Sequence, residues 1–266
     1  MPRTAVRVFP SPNAVGEHLA ARLLPRIEQS LAAGNRFLLG CPTGRTPRPV
    51  YGAMGRRLAE KPQSLRHLIL VMMDEYLVDD GGELVYAPAD KSWSCHQFAR
   101  VEIADRLNAG LEPAQRLRED SIWFPDPRDP AAYDKRIADA GGVDFFVVAS
   151  GASDGHVAFN PPGSPRASCT RIIKLSKETR HDNLQTFPDF GTLEAVPAHG
   201  ISVGIDTITS AREAAMVIWG AGKTETLTRM VAADRYQPDW PATLIHECPV
   251  REILCDADAA HALEPG

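Results

Sequence analysis

The chain has 266 residues, 44% hydrophobic and 24% charged, enough to bury a substantial core and too apolar for a disordered chain. Its formal net charge of -5 gives no general attraction for nucleic acid or anionic lipid. An anionic small molecule would have to be held by locally placed donors.

Residues Met1 to Pro10 hold no apolar run of the signal-peptide kind, and no stretch reaches membrane-spanning length. The five cysteines (Cys41, Cys95, Cys169, Cys248 and Cys255) are scattered and match neither a disulfide framework nor a zinc motif. The expected setting is the cytoplasm, with no membrane or nucleic-acid partner.

In chain order, Thr4–Phe9 reads as a first strand. A helix follows, capped by Ser11 or Asn13, with Val15, Leu19, Leu23, Ile27 and Leu31 recurring every four residues. Pro25 falls inside it and predicts a kink or a break. Phe37–Gly40 reads as a buried strand and leads through Cys41–Thr46 into a helix opened by Pro47 or Pro49 and ending near Ala59. Leu68–Met73 is an apolar strand running into Asp74-Glu75-Tyr76. Gly82–Lys91 reads as an irregular loop and Ser92–Leu107 as a helix.

Val143–Ser150 is another strand, delivering Gly151–His156. Ala158–Pro197, rich in Pro, Ser, Arg and Thr, reads as a mobile cover. Ala214–Trp219 is a strand feeding Gly220–Lys223, Thr224–Ala232 is a helix, and Glu252–Cys255 is a last strand. Apolar strands alternating with helices predict a single α/β domain over residues 1–266. Its sheet is mostly parallel, Rossmann-like, and flanked by helices on both faces. Ligands of such sheets sit beyond the carboxyl ends of the strands, and here four predicted strands end in polar, glycine-containing or acidic loops.

Those loops hold the candidate chemistry. Thr43-Gly44-Arg45-Thr46 has the composition of an anion cradle, since glycine lets N–H groups converge before a helix N-terminus; alone, it is equally an ordinary turn. Of Asp74 and Glu75, adjacent on an extended chain, at most one enters a given site; the alternative is a solvated acidic loop. In Asp154-Gly155-His156 the carboxylate can hold the imidazole tautomer while His156 moves protons at neutral pH. Gly220-Ala221-Gly222-Lys223-Thr224 lacks the first glycine of a P-loop, having Val217 there. Lys223 can still pair with a phosphate as a point charge.

Together these segments resemble the glucosamine-6-phosphate deaminase/isomerase family. The carriers are Leu39-Gly40-Cys41-Pro42-Thr43-Gly44-Arg45-Thr46-Pro47, Met73-Asp74-Glu75-Tyr76 and Asp154-Gly155-His156-Val157-Ala158-Phe159-Asn160. Ser202–Ile208 and Gly220–Lys223 follow in the expected order, so the likeness spans about Arg36 to Asp256. It implies that Asp74 is the base shuttling a proton between C1 and C2. It also implies that His156, oriented by Asp154, opens the sugar ring. Gly44, Arg45, Thr46, Glu75 and Lys223 become the expected substrate-binding residues. The implied reaction isomerises an amino-aldose phosphate to a ketose imine and hydrolyses it to fructose 6-phosphate and ammonia, with no metal or organic cofactor. A homo-oligomer is compatible with the resemblance, since the family includes monomers and symmetric oligomers.

Three positions depart from the family pattern. Pro161 stands where the family has a glutamate assisting ring opening, Gln185 where it has a phosphate-binding arginine, and Arg45 where it has a small residue. A guanidinium at Arg45 can replace the charge absent at Gln185 or fill part of the sugar pocket. Three other activities share the motifs: a 6-phosphogluconolactonase-like hydrolase, an isomerase or deaminase for another sugar phosphate, and a non-catalytic sugar-phosphate sensor.

Overall fold

The computed structural model describes residues 3–263. Its strands in chain order are β1 (Ala5–Phe9), β2 (Phe37–Cys41), β3 (Leu68–Met72), β4 (Asp74–Asp80), β5 (Glu83–Tyr86), β6 (Ile122–Trp123), β7 (Phe145–Ala149), β8 (Arg171–Lys174), β9 (His199–Ser202), β10 (Glu213–Ile218) and β11 (Val250–Asp256). The helices are α1 (Pro12–Ala32), α2 (Arg48–Glu60), α3 (Cys95–Phe98), α4 (Asp105–Asn108), α5 (Pro130–Asp139), α6 (Lys177–Thr186), α7 (Ile205–Thr209), α8 (Thr224–Ala232) and α9 (Ala257–Ala260).

Seven strands build a parallel sheet in the order β1-β11-β10-β7-β2-β3-β6. Alternate side chains feed two cores. Leu39, Leu70, Phe145, Val147 and Val217 meet α1, α2 and the 98–107 helical region through Leu19, Leu23, Tyr51, Met54 and Ile103. Leu38, Val71, Phe146, Val148 and Met216 meet Tyr133, Ile205, Ile208, Leu227 and Met230 of α5, α7 and α8 on the other face. A sheet covered on both faces has to be apolar at every position, which is why its strands read as continuous hydrophobic runs. Truncating a fully buried side chain such as Leu19 to alanine is expected to cost about 2–5 kcal/mol.

The elements differ from expectation at four places. Helix α1 runs unbroken through Pro25. That proline lies on the exposed face, so the missing N–H and the ring face solvent and leave the apolar stripe intact. Gly82–Lys91 contains β5, which folds back on β4 as a hairpin across Gly81-Gly82. The Ser92–Leu107 helix is three joined pieces, with a π-helical stretch Ala99–Ala104 between α3 and α4. Ala158–Pro197 carries two regular elements, β8 and α6.

The largest difference is a second, antiparallel sheet of order β5-β4-β9-β8. One residue, Met73, separates β3 from β4, and its carbonyl accepts from Val203 N at 2.8 Å just past β9. The chain thus leaves the main sheet and enters the small one at Asp74. Tyr76, Phe159, Ile173, Phe187 and Phe190 form the core beneath the small sheet.

Candidate active site

The order of the main sheet reverses between β2 and β7: later strands step outward on opposite sides of this pair. The βα loops leave in opposite directions at such a switch point and open a crevice. A cavity lies there, lined by Thr43, Gly44, Arg45 and Thr46 after β2, Ser150–Ala152 and His156 after β7, and Lys223 after β10. Asp74 and Tyr76 of β4, Phe159, and Asp182, Asn183, Gln185 and Thr186 of α6 close it from the small-sheet side.

Asp74 is 5% exposed. Burial pushes its carboxyl up from the usual 3.8 to about 7, although the Cys95 thiol, donating to Oδ1 at 3.4 Å, pulls the other way. The result is a carboxylate poised near neutrality, the range in which a general base is most effective.

Glu75 points to the opposite side of β4 and does not reach the cavity. Its Oε1 accepts from Tyr76 N and Cys95 N at 2.7 and 3.0 Å, and its Oε2 from Ser94 Oγ and His96 N at 2.9 and 2.8 Å. His96 Nδ1 lies 2.5 Å from the same Oε2. The carboxylate is used up capping the α3 N-terminus, which corrects its expected role as a substrate ligand. The Asp74-Glu75 pair is also buried strand, not a solvated loop.

Asp154 stands behind His156. Its Oδ1 accepts from His156 N at 3.1 Å and lies 2.6 Å from His156 Nδ1. Its Oδ2 accepts from Ser176 Oγ and Thr179 Oγ1, both at 3.3 Å. Burial works to raise the Asp154 carboxyl, but bonding to His156 outweighs it and holds the group below its ordinary value. Nδ1 is thereby committed, and Nε2 has no hydrogen-bond partner among the described residues.

The turn itself depends on Gly155, whose φ is +67°; a Cβ there would meet the Trp240 ring at 2.5 Å. Left-handed backbone and a blocked Cβ both penalise any side chain. Gly155→Ala is expected to lose about 2–4 kcal/mol in urea unfolding, with a matching loss of His156-dependent activity. A change under about 0.5 kcal/mol would contradict this packing.

The loops after β2 and β10 face each other across the cavity. Gly44 sits at φ +89° in the loop before α2, and Thr46 and the exposed Arg45 line the rim with Gln185. Lys223 is half-buried and donates from Nζ to the Ser150 carbonyl. Burial lowers its pKa to about 8, with Arg45 pushing the same way and Asp182 opposing.

Sequence reasoning missed the α6 contribution: Asp182, Asn183 and the two hydroxyls on Asp154. Asn183 brings a buried amide nitrogen without a protein partner. One group among the described residues has its ligand atoms close enough for a cation, Asp154, His156 and Asp182, within 4.8 Å of one another. Asp154 and His156 Nδ1 already bond each other and Asp182 Oδ2 accepts from the Ala152 and Ser153 amides, so these atoms already have partners within the protein. No described helix is long and apolar enough to cross a membrane.

A doubly wound α/β sheet with a buried acid, a carboxylate-held histidine and a cationic loop in its switch-point crevice defines an acid–base enzyme acting on a small anionic molecule. Residues 10–253 match the family model described as glucosamine-6-phosphate isomerases/6-phosphogluconolactonase, and the chain belongs to that family. It is 32% identical over 247 residues to a glucosamine-6-phosphate deaminase of Shouchella clausii, covering 92% of each chain. It is 32% identical over 259 residues to the deaminase of Mycolicibacterium smegmatis, covering 97% of this chain and 92% of the relative. A solved monomeric glucosamine-6-phosphate deaminase shares the fold at TM-score 0.80 and 23% identity, over 97% of this chain and 99% of that one. The 6-phosphogluconolactonase of Thermotoga maritima superposes at TM-score 0.65 and 17% identity, over 96% and 100%.

Proposed function

We propose that this chain is a glucosamine-6-phosphate deaminase, converting glucosamine 6-phosphate to fructose 6-phosphate and ammonia. The observation that carries the reading is a carboxyl with a pKa of about 7 at Asp74, in one cavity with the free Nε2 of His156. The curated deaminases at 32% identity over nine-tenths of the chain support it.

In this reading the phosphate rests on the Gly44–Thr46 loop and Lys223, with Arg45 supplying rim charge where Gln185 has only an amide. His156 takes the proton from O1 as the C1–O5 bond breaks and returns it to O5, leaving an open-chain aldehyde. Asp74 removes the C2 proton and delivers it to C1 while one proton of the substrate ammonium passes to O1, turning the amino-aldose into a ketose imine with a C1 hydroxymethyl. Water then adds to the imine carbon and ammonia leaves.

The test is incubation of the purified protein with glucosamine 6-phosphate. Ammonia and fructose 6-phosphate are expected in equal amounts, which also means that ring opening proceeds with Pro161 where an acidic side chain was anticipated. No release at high enzyme concentration, with hydrolysis of 6-phosphogluconolactone instead, overturns the reading in favour of a lactonase.

A further inference from the structure

Pro161 carries no proton-transfer group, yet the cavity holds a carboxylate that neither the base Asp74 nor the histidine partner Asp154 accounts for. Asp182 belongs to α6, and its Oδ2 accepts from Ala152 N at 3.0 Å and Ser153 N at 3.3 Å. Both amides lie in the loop that ends at His156. The N-terminus of the same helix is tied to that loop through Ser176 and Thr179, whose hydroxyls reach Asp154. Thr179 Oγ1 also lies 3.3 Å from His156 Nδ1. Asp182 is thus fixed from both ends of its contact with the loop, and one of its oxygens, an imidazole nitrogen and an Asp154 oxygen lie within 4.8 Å of one another.

We infer that Asp182 is a positioning residue for His156, a second carboxylate that stabilises the imidazolium formed when the ring-opening proton is held on Nε2. This role rests on the deaminase reading for its reaction, though not for its electrostatics. As the O1–H proton passes to Nε2, an O1 lone pair forms the C1=O bond and the C1–O5 pair moves to O5. The imidazolium then returns the proton to O5, so proton and electrons balance with no further reactant. A single carboxylate on Nδ1 leaves that transient cation facing the other charges of the cleft. These are Lys223 at the start of α8 and Arg45 after β2, which oppose it, and Asp74 on β4, which favours it. Asp182 tips this balance toward the cation and also attracts Lys223.

The experiment is an NMR titration of the His156 imidazole in the full-length protein labelled with 15N-histidine, which needs no substrate. An anion within 4–6 Å favours a cation by about one pH unit or more. Asp182→Asn, which retains an acceptor for the Ala152 and Ser153 amides, is therefore expected to lower the His156 midpoint by about one unit. Asp182→Glu is expected to restore most of it, and Asp182→Ser serves if the amide variant folds poorly. With glucosamine 6-phosphate, kcat is expected to fall about 10-fold in Asp182→Asn with KM nearly unchanged.

An unmoved titration midpoint in both neutral variants overturns the inference. So does a rise in KM alone, which would assign Asp182 to the Lys223 charge or to substrate binding. If the midpoint moves while the wild-type protein leaves glucosamine 6-phosphate untouched, the relay stands and the deaminase reading fails.

Discussion

Asp74→Asn is expected to lose activity by about 10³-fold and yet to unfold at a higher temperature than the wild type at pH 8. Both effects come from one carboxyl buried at the start of β4. The lost activity is that of a base which must exist as carboxylate to take a proton from carbon. The stability gain follows from proton linkage. An unfolded aspartic acid releases its proton near pH 4, whereas folded Asp74 keeps it to about 7. Between those values the native state binds the extra proton, so stability falls as pH rises from about 4 to 7 and stays reduced above.

Each pKa unit is worth about 1.4 kcal/mol, which bounds the penalty at roughly 4 kcal/mol for a group so buried. Asparagine has no charge to desolvate and still accepts from Cys95. A gain of about 1–4 kcal/mol at pH 8, or several degrees in Tm, is expected, shrinking toward zero at pH 4. Thermal melts at the two pH values decide it: equal shifts at both, or a destabilised variant at pH 8, would mean that Asp74 is not held against its charge.

Lys223→Ala is expected to raise KM for a sugar phosphate by about 10- to 100-fold, the weight of a charge-assisted hydrogen bond in a partly buried site, with a smaller change in kcat. The same lysine shapes the pH profile. In the free enzyme Asp74 must have lost its proton, and Lys223 must have kept its own. With these groups at about 7 and about 8, kcat/KM is expected to rise through pH 7 and fall above pH 8. Lys223→Arg keeps the charge at any accessible pH and should remove the alkaline limb, leaving the acid one in place. An alkaline limb that survives in Lys223→Ala belongs to another group.

The main sheet was legible because all of β2, β3 and β10 and all but the last residue of β7 are buried, which leaves runs such as Leu68–Met72 and Phe145–Ala149. The candidate groups Asp74, Asp154 and His156 were legible because they lie in the loops and strand that follow those runs. The small sheet was not. Strand β4 opens on the carboxylate pair Asp74-Glu75 and begins one residue after β3, so its opening reads like the polar end of the preceding strand. Gly81-Gly82 between Leu77-Val78 and Leu84-Val85 is a hairpin signal that was present and passed over. Asp182 gave no signal at all. Helix α6 is polar around its circumference, with Thr179 its only fully buried residue, and its charged residues look alike until the tie from Ser176 and Thr179 to Asp154 brings Asp182 against the histidine loop.

Met73, the single residue between β3 and β4, makes the cleft a composite. The anion loops follow β2 and β10 of the large sheet, whereas Asp74 opens a strand of the small one and Asp182 descends from the helix after β8. The cleft walls therefore come from two frameworks: Gly44, His156 and Lys223 follow strands of the large sheet, whereas Asp74 and Asp182 belong to the small one and its helix α6. Substitutions at Tyr76, Asn183, Gln185 and Thr186 would reshape one wall of the cleft without touching the loops after β2 and β10.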